Sequence, residues 1–197
     1  GLFIKEANSS KVVTWHQDLN YWGLDTVNEV TAWVALSPSN VASGCMRFVP
    51  GSHQRSLVPH TDTFDENNLL SRGQEIAVDV DDSDGVNVIL EPGQSSLHHG
   101  HLFHASGPNT TDHRRVGAAI RFISTSMRQE TGDRPLVTLV SGEDAYGHFT
   151  VTGPPRGWLV KEDFELGRSD ASIKRQVLDV GAVKNTNGQY ANTDGAY

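Results

Sequence analysis

The chain reads as an all-β sandwich or barrel with a minor helix, on three features. Short runs rich in Val, Ile, Thr, Phe and Trp recur along most of its length. Clusters of Gly, Pro, Asn, Asp and Ser separate them, as the turns of an antiparallel fold require. Extended helical periodicity is confined to one segment near the C-terminus.

Taken in order, "LFIKE" (2–6) and "KVVTWH" (11–16) supply the first strands, followed by "VTAWVAL" (30–36). The turn "SPSN" leads to "CMRFVP" (45–50), and "PGSH" closes that run. The segment "HTDTFDENNLLSRGQE" (60–75) has mixed polarity and reads as a helical turn or a long loop. "EIAVDV" (75–80) and "VNVILE" (86–91) flank the turn "DDSDG". After "EPGQ", the stretch "SLHHGHLFH" (96–104) reads as a single strand, and "SGPN" turns the chain into "VGAAIRFIS" (116–124). "TGDRP" precedes "LVTLV" (136–140). "WLVKEDFELGRSDASIKRQVLDV" (158–180) is the best helical candidate, mostly after Lys161. The Gly/Asn-rich residues 181–197 read as a loose tail, leaving one domain over 1–180 with no internal repeat. The opening "GLFIKEANSSKVVTW" enters a strand pattern almost at once, so part of a longer protein is expected to precede it.

A chain of 197 residues, 37% hydrophobic and 20% charged, can bury one sizeable core. Its formal charge of -8, from 16 basic and 24 acidic residues, argues against a nucleic-acid partner. A single cysteine, Cys45, forms no internal disulfide, and a reducing cytoplasm is the simplest setting. No apolar run approaches a membrane span and no signal peptide is visible, so a cytoplasmic monomer is the default expectation.

The chemistry concentrates in "WHQDLNYW" and "LHHGHLFHASGPN". In a strand, residues i and i+2 face the same side, so His16 and Asp18 project together and Gln17 points away. One imidazole and one carboxylate make two legs of a metal site. Two histidines and one carboxylate on one face of an octahedron leave three positions open, the facial triad of non-heme Fe(II) oxygenases. Polar residues at a strand edge would show the same H-x-D spacing, so a third ligand must support it. His98, His99, His101 and His104 crowd the second stretch. Strand parity places His98 and His104 on one face and His99 and His101 on the other. His104 adjoins a turn, where a site mouth would lie, and His98 or His99 remain alternatives. Arg115 is favoured over Arg114 by parity, because Arg115, Gly117, Ala119 and Arg121 share a face whose small residues would leave room for a ligand.

"WHQDLNYW", "VTAWVAL", "GCMRFVPGSH" and "HASGPN" followed by "RR" stand in the order of the phytanoyl-CoA dioxygenase family, which the chain closely resembles from about Leu2 to Phe149. The resemblance implies a double-stranded β-helix, a jelly-roll of cupin type, and Fe(II) and 2-oxoglutarate as cofactor and cosubstrate. Residue by residue, it implies His16, Asp18 and His104 as iron ligands and Arg115 as the anchor for the distal carboxylate of 2-oxoglutarate. Ser106 resembles the hydroxyl residue sharing that carboxylate, although a turn role is its plain alternative. Trp33 resembles the tryptophan lining the cosubstrate pocket, against simple core packing. The family also draws cosubstrate contacts from upstream residues that would fall at or before Gly1, and carries a partly helical N-terminal region that this chain is expected to lack in part.

Hydroxylation of an unactivated C–H of a small organic substrate with O2, releasing succinate and CO2, is the implied reaction. Related halogenases carry Ala or Gly where Asp18 stands, so the carboxylate favours hydroxylation. Arg115 and Arg121 match the R-x5-R spacing of nucleic-acid demethylases, but "VGAAI" between them and the acidic balance speak against that substrate. Two other classes stay in view: a non-catalytic ligand-binding relative of the same fold, and a cupin-like metal isomerase or hydrolase. The loops 19–28 and 59–75, with Tyr21 and Trp22, are expected at the substrate mouth.

Overall fold

The computed structural model describes residues 1–180 and Ala182; the rest of the expected tail, 181 and 183–197, lies outside the described residues. The described chain forms two compact units. The first comprises Gly1–Asp18 and Glu29–Phe122, the second Leu19–Asn28 and Ile123–Ala182.

The first unit carries β1 (Leu2–Lys5), β2 (Val13–His16), β3 (Glu29–Ala35), β4 (Met46–Phe48), β5 (His60–Asp62), β6 (Gln74–Ile76), β7 (Val86–Val88), β8 (Ser95–His98), β9 (His104–Ser106) and most of β10 (Arg115–Ile123). One four-stranded sheet has the order β1-β10-β3-β8 and the other β2-β9-β4-β7. The pairs β1–β10, β3–β8, β2–β9, β4–β9 and β4–β7 are antiparallel. Side chains from both sheets meet in one core of Trp33, Ala35, Met46 and Ala119, with Phe3, Phe48, Val88 and Leu90 packed against it. This is the double-stranded β-helix expected from the family resemblance.

Alternation sets which residues point inward. In β3, Glu29, Thr31, Trp33 and Ala35 are all buried, and in β10 so are Arg115, Gly117 and Ala119. Gly117 has a steric role of its own. A Cβ there would lie 1.9 Å from the Trp33 indole, so the missing side chain is the space Trp33 fills. The room expected for a ligand beside Gly117 therefore belongs to core packing. Gly44 (φ 72°) allows a second close approach, because a Cβ would lie 2.4 Å from the Gly107 carbonyl oxygen.

Three local readings change. Residues 60–75 hold the expected long loop, 63–73, closed at its base by a strand pair: β5 and β6 are antiparallel, with His60 opposite Ile76 and Asp62 opposite Gln74. An ion pair between the side chains of Arg72 and Asp62 ties its two arms. Only the first residues of "EIAVDV" join β6. "SLHHGHLFH" is two strands in different sheets, β8 ending at His98 and β9 starting at His104. The break is chemical: the Gly100 N–H donates to the Glu29 carboxylate on β3, and the Leu102 N–H turns back to the His99 carbonyl.

In the second unit, β11 (Leu136–Val137) pairs in parallel with β12 (Thr150–Val151), and the expected helix is α1 (Lys161–Asp179). Glu162 and Asp163 lie in its first turn, where the helix dipole favours anions. Asp170 accepts from the Leu136 N–H at 2.7 Å, joining α1 to β11. No helix among the described residues is long and apolar enough to cross a membrane.

Candidate active site

β2 ends at His16, which is buried, and is paired with β9 so that His16 lies opposite His104. The imidazole Nδ1 of His16 sits 2.9 Å from the Thr14 carbonyl, and that of His104 lies 2.9 Å from the Leu102 carbonyl. A carbonyl can only accept, so each Nδ1 is the protonated nitrogen and each Nε2 keeps its lone pair. Both Nε2 lone pairs converge with one carboxylate oxygen: Asp18 Oδ1 lies 3.4 Å from His16 Nε2 and 3.9 Å from His104 Nε2. The three side chains offer ligand atoms within 4.8 Å of one another, a spacing one metal ion can span. Backbone carbonyls behind metal-binding imidazoles are the usual way to fix tautomer and ring orientation.

Strand parity is not what brings Asp18 beside His16. Asp18 opens a 3-10 helix, Asp18–Tyr21, and Gln17 does not point to an outer face. Gln17 is fully buried. Its side chain donates to the His101 carbonyl at 2.9 Å and accepts from the Val58 N–H at 2.9 Å. Its backbone N–H donates to His60 Nε2 at 3.1 Å. The residue between the two ligands is therefore held from three sides, and the chain turns about it. His60 was not legible as part of this arrangement; "PHTD" carries no signal that an imidazole 43 positions away would accept from Gln17.

Electrostatics suit a cation. Burial pushes the Asp18 carboxyl up, but the adjoining His16 and His104 rings and the Arg121 guanidinium outweigh it and hold the group well below the usual carboxylate range. Burial, reinforced by His16, drives the His104 imidazole well below its ordinary value, so it stays a neutral lone-pair donor. Of the alternative ligands, His98 ends β8 with its ring 4.8 Å from that of His104 and 5.2 Å from Phe48. Burial lowers it to about 4, and its Nδ1 has no partner among the described residues. His99 and His101 meet edge to face, with ring centroids 5.1 Å apart, and the His53 ring lies 6.2 Å from that of His99. None of these four belongs to the three-ligand group. Burial raises Glu29 to about 7 against the opposing Gly100 N–H, with the Asp18 charge adding to the rise.

A cavity of about 540 Å³, open mouth included, is lined by His16, Asp18, His104 and His98 together with Trp33, Ser106, Arg115 and Ala119. Arg121 and Leu70 also line it. Arg115 is 2% exposed, and its guanidinium carbon sits 5.2 Å from the Trp33 ring centroid. Its Nε has no hydrogen-bond partner and no carboxylate pairs with it among the described residues. Burial lowers its pKa to about 10, so it remains charged. A buried guanidinium with no carboxylate partner is costly, and its chemistry suits an anionic ligand. Arg114, by contrast, is exposed and paired with Glu6 at 3.0 Å, as parity predicted. Trp33, 4% exposed, serves both roles weighed from the sequence: it packs in the core and lines the cavity.

Two further residues escaped sequence reasoning. Lys5, 1% exposed, hydrogen-bonds Ser106 Oγ at 2.6 Å from the first sheet. The available signal was its phase, since Lys5 and Phe3 share the inward face of β1. Asn109, fully buried, donates to the carbonyls of Lys5, Glu6 and His113 and accepts from Thr111. It organises the connection between β9 and β10.

A family model for phytanoyl-CoA dioxygenase matches residues 1–117. The peroxisomal phytanoyl-CoA dioxygenase of Mus musculus is 30% identical over 161 residues, covering 77% of this chain and 47% of that protein. The chain spans about a third to a half of the curated relatives it matches. Among solved structures, the apo form of the non-heme monooxygenase ThoJ is 35% identical, covers 91% of this chain and 65% of its own, and superposes with a TM-score of 0.79. EvdO2 from Micromonospora carbonacea var. aurantiaca, solved with 2-oxoglutarate, is 28% identical over 65% of this chain and 51% of its own, with a TM-score of 0.57. The matched residues include the H-x-D segment, His104 and the unpaired Arg115, set on two facing antiparallel sheets. The chain belongs to the phytanoyl-CoA dioxygenase family.

Proposed function

We propose that this chain is an Fe(II)- and 2-oxoglutarate-dependent dioxygenase that hydroxylates an unactivated C–H of a small organic substrate, consuming O2 and releasing succinate and CO2. The observation that carries the reading is one cavity lined by two unlike groups: a triad of two imidazoles and a carboxylate, and a buried guanidinium with no carboxylate partner among the described residues. A dianion that chelates a metal at one end and presents a carboxylate at the other satisfies both.

His16, Asp18 and His104 would hold the iron, whose chemistry when bound is the activation of O2 at the expense of a 2-oxo acid. The chain's own residues do the rest. The Thr14 and Leu102 carbonyls keep the two Nε2 atoms aimed inward. Arg115 and Ser106 bind the distal carboxylate, a guanidinium fork matching two oxygens at once. Trp33 lines the cavity with its ring under the Arg115 guanidinium, an apolar face beside the charge. The presence of Asp18 favours hydroxylation over halogenation, and support for iron and 2-oxoglutarate comes from the relatives, EvdO2 having been solved with 2-oxoglutarate.

The test is succinate formed from 2-oxoglutarate with added Fe(II) and O2. Turnover is expected from the native chain and is expected to fall by at least about 100-fold in Asp18→Ala and His104→Ala. Undiminished turnover in both variants would sink the iron assignment.

A further inference from the structure

We propose that Lys5 is a positioning residue for the distal carboxylate of 2-oxoglutarate: it occupies the acceptor side of the Ser106 hydroxyl, so that the hydroxyl hydrogen is left to donate into the cavity. The inference rests on the reading that this cavity takes 2-oxoglutarate.

The geometry is specific. Lys5 lies opposite Arg115 in the β1–β10 register, so the two side chains share one face of the sheet. An ammonium has three protons and no lone pair. The three acceptors within reach of Nζ are Ser106 Oγ at 2.6 Å, the Ser106 carbonyl at 3.1 Å and the Gly107 carbonyl. Lys5 therefore has no proton left for a ligand, and its influence passes through Ser106. Because Ser106 Oγ accepts from Lys5, its own hydrogen must point elsewhere, and Ser106 lines the cavity beside Arg115. Asn109 holds the Lys5 and Glu6 carbonyls, which keeps this end of β1 in place.

The second consequence is charge. Lys5 and Arg115 are both almost fully buried, and neither has a carboxylate partner among the described residues. Burial, then the neighbouring Arg115 charge, lower Lys5 to about 7. The other ionisable group facing it is the buried Cys45 thiol, itself raised by burial. An arriving dianion relieves the repulsion and favours protonated Lys5. Affinity for 2-oxoglutarate is thus full below about pH 7 and is lost as pH rises through that value, approaching tenfold per pH unit.

The experiment is calorimetric binding to the Fe(II)-loaded chain without O2, using 2-oxoglutarate and 2-oxopentanoate. The second ligand keeps the chelating end and replaces the distal carboxylate with a methyl group. The native chain is expected to prefer 2-oxoglutarate. Lys5→Met is expected to weaken 2-oxoglutarate about 10- to 100-fold, to leave 2-oxopentanoate unchanged and to flatten the pH dependence. In a Ser106→Ala background, Lys5→Met should cost much less, since the residue acts through that hydroxyl. If the native chain does not discriminate between the two ligands, the cosubstrate reading fails, and this inference with it. If it discriminates while Lys5→Met binds both ligands as the native chain does, the role of Lys5 alone is overturned. Should Lys5→Met fail to fold, the native pH profile decides: a flat 2-oxoglutarate affinity between about pH 6 and about pH 8.5 overturns the proposal.

Discussion

At the scale of single residues, the site depends on side chains whose partners are distant in sequence. Gly117 is the sharpest case, because the Trp33 indole occupies the place of its missing Cβ. Gly117→Ala is expected to destabilise the chain by about 1–3 kcal/mol through overpacking, measured by denaturant titration. Trp33→Phe introduced alongside should recover part of the loss, and a neutral Gly117→Ala would refute the packing account. The ligand types were legible, since an imidazole and a carboxylate two positions apart are rare enough to suggest a metal. The reason they converge was not. Parity along a strand predicted the right direction for Asp18, yet β2 stops at His16 and the buried Gln17 supplies the turn. Lys5 was invisible because a lysine near a strand end ordinarily reads as solvated, and only the fold shows Ser106 above it.

At the scale of elements, most strands and the helix were legible from β-branched runs, turn residues and periodicity. The failures are where pairing replaces pattern. β5 and β6 are three-residue strands of polar character, held by an ion pair and a register that no local composition announces. The division of "SLHHGHLFH" into β8 and β9 depends on Glu29 taking the Gly100 N–H, a contact across 71 positions. Parity still put His98 and His104 on one side, and their rings do lie 4.8 Å apart, though they sit on different sheets. The link from β9 to β10 turns on Asn109, whose amide nitrogen serves three carbonyls. Asn109→Ala is expected to cost about 3 kcal/mol or more, because buried carbonyls lose their donor. A change below about 1 kcal/mol in chemical unfolding would show that water replaces the amide.

At the scale of the whole molecule, every residue assigned to the cavity lies in the first unit, contributed from its opposite ends in sequence. A metal that binds there joins β2 to β9 and favours only the folded state. With Ni(II) at about 100 times its Kd, the native chain is expected to gain about 2.7 kcal/mol and melt several degrees higher. Chelation should reverse the shift, and Asp18→Ala should abolish it; an equal shift in that variant would place the ion elsewhere.

The Arg115–Trp33 stack has an optical consequence. The chain holds four tryptophans, and Trp33, nearly sealed from solvent, differs sharply from Trp158, which is 97% exposed. Emission from Trp33 is expected toward the blue edge of the spectrum, at a wavelength sensitive to the charge of the guanidinium over its ring. A carboxylate that drew the guanidinium toward itself would change that local field, so a shift in Trp33 emission on adding 2-oxoglutarate is the expected optical readout of binding beside Arg115.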